Sequence, residues 1–252
     1  MSLVADTTRW QRRAQPLLGT LVEIGVRSGS GDRQAAFDAA FAALREVQAC
    51  LSRFEANSDI TRFHALRAGE CLTARPITAQ VLVAAQSLRE ASHGAFDISL
   101  GTAPGGWRCN GDQLLKLDDM VLLDLGGIGK GCAVDRAVKA LIEHGVDAGW
   151  VNAGGDLRAF GDAEVPVQLR DEARGGVRPF ATLRDGALAT SHFDRLSRSR
   201  IAGGASTKPL LAHVSVAAPL CLWADALTKV VTLSGDTSHP LLARFEARAW
   251  LH

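Results

Sequence analysis

The sequence has almost no excess of charge of either sign. Its 28 Lys and Arg residues and 27 Asp and Glu residues give a formal net charge of +1 over 252 residues. Proteins that bind nucleic acid usually show a basic patch or stripe, and a near-neutral balance gives no such electrostatic footprint. The composition therefore predicts no nucleic-acid partner.

Long apolar runs are also missing. A membrane-spanning helix needs about 20 consecutive apolar residues, and no stretch approaches that length. Residues 1–13 are polar and do not have the pattern of an export signal. With 47% hydrophobic and 22% charged residues, we expect one large soluble domain or two small ones, without a transmembrane segment. The expected location is cytoplasmic, or periplasmic or lipid-anchored if an export signal has been removed.

Cysteine pairs and closely spaced histidines are absent as well. The five cysteines are odd in number and widely spaced, with no CxxC, and no HxH or HxxxH occurs. A disulfide framework or a zinc site usually shows paired spacings. We therefore expect all five to be small buried side chains in a reducing compartment: Cys50, Cys71, Cys109, Cys132 and Cys221.

The most informative stretch is residues 121–139, VLLDLGGIGKGCAVDRAVK. The apolar run from Val121 to Leu125 has the composition and length of a strand, four glycines follow within six residues, and apolar residues then recur at helical spacing until Gly145. Glycines let the backbone approach a ligand, a helix N-terminus attracts anions, and Lys130 adds a positive charge. The stretch predicts a strand, a glycine turn and a helix, and it fits either a phosphate site or a tight turn with an exposed lysine.

Two familiar nucleotide motifs do not fit this turn. The pattern GxxxxGK[ST] fails because Asp124 stands where its first glycine belongs. The pattern GxGxxG fails because Cys132 stands at its third glycine. A nucleoside triphosphatase and a Rossmann dinucleotide site are both weakly supported.

A second candidate lies on a helix predicted over residues 224–234 and ended by Gly235. Asp225, Thr228 and Lys229 are spaced i, i+3 and i+4, so they share one face. A carboxylate and a hydroxyl one turn apart can hold a hard cation such as Mg²⁺. On spacing alone, an ordinary solvated face with an i,i+4 ion pair is favoured.

Periodicity predicts most of the other elements. Residues 17–26 have the composition of a strand, with Leu21, Ile24 and Val26 as its expected core residues. A helix is predicted over 78–90, capped by its first residue. The other expected elements are a helix with a face from Phe37 to Leu51, two strands within 149–161 separated by Gly154, Gly155 and Asp156, and strands at 165–169, 180–183, 187–190 and 213–218.

Three further sets of residues admit a functional and a structural interpretation. Phe54 and Phe63 are either exposed over a ligand or anchors of a loop, and anchors are favoured. Asp97 is either functional or the cap of a turn, and the cap is commoner. Residues 191–194 contain the residue types of a catalytic triad, but near neighbours on one strand cannot reach the required geometry alone.

Seven segments together resemble the ApbE-type FAD:protein FMN transferase family, formerly described as thiamine-biosynthesis lipoproteins. They cover most of residues 17–235 and run in the family's order: LLGTLVEI, LSRFEANSDITRFHA, GAFDISLG, LDLGGIGKGCAVD, WVNAGGDLRAFG, ATS and VSVAAPLCLWADALT. The resemblance implies a single compact α+β domain over residues 9–252, with mixed sheets flanked by helices. It implies that FMN is moved from FAD to a Thr or Ser hydroxyl of an acceptor flavoprotein, with Mg²⁺ at the diphosphate and release of AMP.

The resemblance also implies where FAD would be contacted. Leu18 takes the place of a family Met beside the flavin, and Phe54 the place of an aromatic residue that packs on the cofactor. Ala95, Phe96 and Asp97 match a stretch that contacts FAD. The remaining implied contacts are Asp124, Lys130 and Ile201.

For the metal and the chemistry, the resemblance implies four residues. Gly127 matches a glycine whose backbone carbonyl binds the metal, and Asp225 matches a metal-binding carboxylate. Thr228 is a third candidate ligand. Lys130 and Asp225 are the implied catalytic residues.

The sequence departs from the family pattern in two places. The family's A-D-A-x-x-T has its Thr at the position of Lys229, so either Thr228 binds the metal from i+3 or the Lys229 ammonium takes the metal's place. The family's H-I-x-D-P-x-T-G corresponds to residues 200–207, where only Ile201 matches, and its T-S-G ends in His192 here. Three functions follow as alternatives: the transferase, an FAD pyrophosphate hydrolase, and an FAD-binding protein with impaired catalysis.

Overall fold

Helices and antiparallel strands make up the fold. The structure is a computed structural model, and it describes residues 10–27, 33–170, 175–192 and 213–252. The strands are β1 Trp10–Leu17, β2 Thr20–Arg27, β3 Cys71–Thr73, β4 Trp107–Asn110, β5 Gln113–Lys116, β6 Gly149–Ala153, β7 Asp156–Phe160, β8 Val165–Arg170, β9 Val177–Leu183, β10 Gly186–His192, β11 His213–Ala218 and β12 Arg248–Leu251. The helices are α1 Arg33–Leu51, α2 Asp59–His64, α3 Pro76–Ala91, α4 Gly129–Glu143, α5 Cys221–Ser234 and α6 Pro240–Arg244.

One seven-stranded sheet organises these elements, in the order β1-β2-β6-β7-β10-β11-β12. Its hairpins turn at glycines, including Gly19 between β1 and β2 and the pair Gly154 and Gly155 between β6 and β7, and all three have positive φ. Every pairing between described strands is antiparallel. The expected α+β class is confirmed, whereas the mixed sheets that the resemblance implied are antiparallel in the described part of the chain.

The main core lies between this sheet and the layer of α1, α4 and α5. On β2, Val22, Ile24 and Val26 are fully buried in that core. The prediction for Leu21 was wrong, because this side chain is 62% exposed. The reason is the two-residue period of a strand, which places Leu21 on the opposite face from Ile24.

The segment from Val121 to Leu125, predicted as a strand, has no assigned secondary structure and pairs with no strand among the described residues. Val121, Leu123 and Leu125 are buried, and Leu122 between them is exposed. The apolar run that indicated a strand therefore serves to anchor this segment to the core by alternate side chains. The predicted helix is confirmed but begins at Gly129, within the run of glycines, and Gly145, where the pattern was expected to end, has positive φ.

Two smaller predictions need correction. Helix α3 begins at Pro76, and Thr78 does not cap it, since its hydroxyl donates to the buried carboxylate of Asp59 at 2.6 Å. Cys71 is exposed, while the other four cysteines are buried as expected. Among the described residues, no helix has both the length and the apolar character that a membrane span requires.

Helices α4 and α5 cross at a point where only glycine fits. A Cβ atom on Gly131 would lie 2.3 Å from the backbone oxygen of Cys221. Beside this crossing, the carboxylate of Asp135 on α4 accepts hydrogen bonds from the amides of Cys221 and Leu222, each at 2.9 Å. The amides at the start of α5 therefore find their partners on α4, which fixes how the two helices sit against each other.

The crossing gives a prediction about stability. Gly131→Ala should lower the free energy of unfolding by at least about 2 kcal/mol, because the new methyl group meets backbone and the helices must separate. Gly129→Ala is the matched control, since its Cβ would make only ordinary contacts of 3.6 Å or more. We expect it to be neutral or to stabilise by up to about 1 kcal/mol. Urea unfolding of both variants measures the difference, and equal costs would contradict the assigned role of Gly131.

Candidate functional site

The fold brings the glycine turn against helix α5. A Cβ atom on Gly127 would lie 3.0 Å from Cε of Lys229, so this backbone packs directly on the lysine side chain. The amide of Gly131 donates to Oδ2 of Asp225 at 3.3 Å. The two stretches that the sequence singled out, nearly one hundred residues apart, therefore form one site.

Lys229 fills the centre of this site. Its ammonium donates to Oδ1 of Asp225 at 2.6 Å, to the hydroxyl of Ser191 at 3.1 Å and to the backbone oxygen of Asp225 at 3.2 Å. An ammonium has three N–H donors, and here each has an oxygen acceptor. The i,i+4 ion pair was correctly predicted, but the solvated face was wrong, because Asp225 and Thr228 are fully buried and Lys229 is only 8% exposed.

The hydroxyl groups of the site form a chain. The Thr228 hydroxyl donates to the backbone oxygen of Asp225 at 2.7 Å, and it lies 2.9 Å from the hydroxyl of Ser191. Ser191 therefore accepts from Lys229 and donates to Thr228. Buried hydroxyls and charges are stable only when they are hydrogen-bonded in this way.

A second ion pair lies beside the first. The ammonium of Lys130 pairs with the buried carboxylate of Asp156 on β7, while the Lys130 side chain stays 33% exposed. Burial alone would lower the pKa of Lys130, but the carboxylates of Asp156 and Asp225 raise it above its ordinary value. Burial raises the pKa of Asp156 to about 6, and repulsion from Asp225 adds to this effect. Burial acts in the same direction on Asp225, yet Lys229 and Lys130 hold its pKa below the ordinary value.

Two members of this cluster were not predicted as site residues from the sequence. Asp156 was noted only as part of a break between strands, and Ser191 was set aside with the triad residue types. The pairing of β7 with β10 aligns Asp156 with Ala189, and Ser191 follows two residues further along β10. Strand register decides this proximity, and nothing local to either residue indicates it. Asp194 lies outside the described residues.

The N-terminus of α4 offers less to an anion than the sequence suggested. The amide of Gly129 already donates to the oxygen of Leu125 at 2.7 Å, and the amide of Gly131 is used by Asp225. The charged side chain at this turn is that of Lys130, which is 33% exposed while its ammonium pairs with Asp156. The feature of this turn that could bind a phosphate is therefore the charged Lys130 side chain, more than free backbone amides.

A groove of about 510 Å³ lies along residues 122–124, just before the glycine turn. Phe54 stands on its rim with 84% of its surface exposed, and the Arg53 guanidinium lies 4.7 Å from its ring centroid. Asp124 also lines the groove, accepts from the Gly126 amide at 2.9 Å and pairs with Arg53 at 3.5 Å. The anchor interpretation was wrong for Phe54 and right for Phe63, which is fully buried.

Leu18 is tied to the same region through side chains of α1 and the following loop. Its amide donates to Gln48 at 2.8 Å, and Gln48 donates in turn to Glu55, the neighbour of Phe54, at 2.8 Å. Leu18 has φ of 56°, a left-handed conformation that a leucine rarely adopts. The turn is therefore held in a strained conformation near the groove.

The predicted FAD stretch, Ala95 to Asp97, does not itself line the groove, but it precedes Ser99 and Leu100, which do. Phe96 is buried in the main core. Asp97 caps a turn, as favoured, by accepting from the Ser99 amide at 2.9 Å, and the next residue, Ile98, accepts from the Asp124 amide at 2.8 Å. Ile201 lies outside the described residues.

A magnesium ion does not fit the site as the side chains stand. Both carboxylate oxygens of Asp225 and the hydroxyl of Thr228 already have partners, and the Lys229 ammonium lies 2.6 Å from Oδ1 of Asp225. Among the residues that the structure describes, no group of three His, Cys, Asp or Glu side chains could hold a metal. The role of metal ligand for Gly127, Asp225 and Thr228 thus stays a prediction from the resemblance.

The buried pair predicts a large asymmetry between two lysines. Lys229→Met leaves Asp225 as an uncompensated buried charge and should cost about 3–5 kcal/mol of unfolding free energy. Lys139→Met is the matched control, because Lys139 forms an i,i+4 pair with Glu143 at 3.6 Å but is 73% exposed. Its loss should cost no more than about 0.5 kcal/mol. Denaturant unfolding compares the two, and similar costs would show that the Lys229 pair is solvated.

The raised pKa of Asp156 predicts a pH effect of defined sign. The pKa rises from 3.8 to about 6 on folding, so the folded state binds this proton more tightly. The stabilisation from this group is therefore complete below pH 3.8 and is lost as pH rises through 6. We expect the unfolding free energy of the wild type, minus that of Asp156→Asn, to fall across this window. A difference that rises with pH would show that the ion pair with Lys130 lowers the pKa of Asp156 by more than burial raises it.

Comparison with known proteins identifies relatives of this chain. The profile of the ApbE family matches residues 18–116 and 104–250. Two curated relatives are named FAD:protein FMN transferase. The one from Rhodobacter capsulatus is 28% identical to this chain and the one from Treponema pallidum is 25% identical, and each match covers 71% of this chain. The chain spans 42% and 61% of the lengths of those relatives, less than two thirds in both cases.

A solved structure gives the same fold. The apo form of the Pseudomonas stutzeri flavinyl transferase ApbE superposes with a TM-score of 0.81, at 24% identity, over 100% of this chain and 92% of its own. At that identity the likeness speaks for the fold alone. The family profile, which extends over nearly all of the sequence, shows that this chain belongs to the ApbE family.

Proposed function

We propose that this protein binds FAD and transfers its FMN half to a Thr or Ser hydroxyl of an acceptor flavoprotein, releasing AMP. The observation that carries the proposal is the partly exposed side chain of Lys130, which follows in sequence the segment that lines the groove beside Phe54. A planar ring system could stack on Phe54 while its diphosphate reaches Lys130. The names of the curated relatives support the same activity.

The reaction needs charge and position more than covalent chemistry from the protein. The acceptor hydroxyl oxygen attacks the phosphorus of the FMN half, and the bond from that phosphorus to the bridging oxygen breaks. AMP leaves with the electron pair of that bond, and the hydroxyl proton passes to solvent. Lys130 would stabilise the charge that develops on the bridging oxygen and the phosphates.

Asp225 fits a different role from that of a base. Among the described residues its carboxylate is fully buried, and both of its oxygens already accept, from Lys229 and from the Gly131 amide. We assign Asp225 to hold Lys229 and the glycine turn in position. Asp124, by contrast, lines the groove, and it is the carboxylate we place near the bound nucleotide.

A second candidate is FAD binding without transfer. It is favoured by the charge balance of the cluster, in which two lysines and two aspartates sum to zero. A neutral cluster attracts a diphosphate only through the local field of its exposed member, Lys130. Binding would then survive while the rate of phosphorus–oxygen cleavage is low.

Release of AMP from FAD, measured with and without a Thr-bearing acceptor flavoprotein, separates the candidates. The proposal predicts AMP together with flavin covalently attached to the acceptor. AMP without attachment would mean hydrolysis, and bound FAD without AMP would mean the binding protein.

The same assay tests Lys130. Lys130→Met should lower the turnover rate by about 10²–10³-fold, the usual loss when one donor to a developing oxyanion is removed. Lys139→Met, which changes an exposed lysine further along the same helix, should leave the rate unchanged. Equal rates for wild type and Lys130→Met would remove this lysine from the proposed mechanism.

A further inference from the structure

The surroundings of the Lys229 ammonium resemble a cation cage more than a surface ion pair. Its three acceptors are a carboxylate oxygen and a backbone oxygen of Asp225 and the hydroxyl oxygen of Ser191. Carboxylate, carbonyl and hydroxyl oxygens are also the ligand types that hard cations take. The cage is assembled from α5 and β10, so it exists only in the folded chain.

The cage is closed around this lysine. Gly127 packs on the Lys229 stem so tightly that an added Cβ would lie 3.0 Å from Cε. Thr228 holds the Ser191 hydroxyl from the other side at 2.9 Å. A divalent ion could enter only if the ammonium left, and the ammonium would then lose all three of its acceptors.

We infer that Lys229 is a built-in monovalent cation that takes the place of a divalent metal, so that this chain binds its ligand without a metal ion. The metal-binding part of this inference stands on the geometry of Lys229 alone. The part that concerns FAD rests on the proposed function.

A single ammonium in the cage also accounts for the second ion pair beside it, between Lys130 and Asp156. An ammonium contributes one positive charge where a divalent ion contributes two, and it cannot coordinate two phosphate oxygens. Lys130, whose side chain is 33% exposed, supplies a further ammonium that pairs with Asp156. On this inference, the Lys229 ammonium supplies the buried positive charge of the cage, and Lys130 supplies the positive charge that contacts the ligand.

The first experiment measures Mn²⁺ binding to the purified full chain by electron paramagnetic resonance, without any flavin. Wild type should bind no Mn²⁺ at the cage, whereas Lys229→Thr should gain one site, because it frees the oxygens of Asp225 and Ser191 and adds a hydroxyl. The double variant Lys229→Thr/Asp225→Asn is the control and should lose that site again. Stoichiometric Mn²⁺ binding by the wild type that Asp225→Asn abolishes would overturn the inference.

Because Lys229→Thr leaves a buried carboxylate unpaired, its folding is measured alongside. Mg²⁺ should raise the melting temperature of Lys229→Thr and leave that of the wild type unchanged. A folded Lys229→Thr that gains neither Mn²⁺ binding nor Mg²⁺ stabilisation would contradict the replacement. If Lys229→Thr does not fold even with Mg²⁺, the inference is tested by Mn²⁺ binding to the wild type and to Asp225→Asn.

The second experiment titrates FAD into the wild type in EDTA and in excess Mg²⁺, with flavin fluorescence as the readout. The Kd should differ by less than about two-fold between the two conditions, since the cation is already present in the chain. A Kd at least tenfold tighter with Mg²⁺ would overturn the inference. Absence of FAD binding in both conditions would defeat the proposed function instead, and the Mn²⁺ result would still stand.

Discussion

The buried ion pair between Lys229 and Asp225 is the constraint on which the site depends. Two charges withdrawn from water cost several kcal/mol each unless their hydrogen-bonding groups are fully matched. The match is made by three separate parts of the chain: the amide of Gly131 on α4, the hydroxyl of Ser191 on β10 and the carbonyl of Asp225 itself. The pair therefore ties a helix crossing, a sheet strand and the glycine turn to one geometry.

Glycine makes this geometry possible, for steric reasons more than for conformational freedom. Gly127 leaves room for the aliphatic part of the Lys229 side chain. Because Gly131 has no side chain, its backbone on α4 can lie close to the backbone of α5. Asp135, four residues further on α4, then caps the first amides of α5. Close packing and polar matching thus reinforce each other, because each requires the helices at the same separation.

The site divides into a buried part and an open part with different physical roles. The cluster of two lysines and two aspartates is neutral overall and its members are paired with one another, so its role is to hold the surrounding elements in position. The open groove carries Phe54, Arg53 and Asp124, whose side chains can meet a ligand from solvent. Lys130 belongs to both parts, since its ammonium pairs with Asp156 while a third of its side chain is exposed. A ligand with a ring system and a diphosphate matches this division.

The sequence by itself determined the fold class, most helices and strands, the glycine turn with its helix, and the i,i+4 pair on α5, because these depend on periodicity and local spacing. The family resemblance likewise required only ordered motifs. Only the tertiary structure decided that the Asp225 face is buried, that residues 121–125 join no sheet among the described strands, and that Asp156 and Ser191 join the cluster. Burial and strand register arise from contacts between residues distant in the chain, and a local pattern contains no information about which distant surface will cover it.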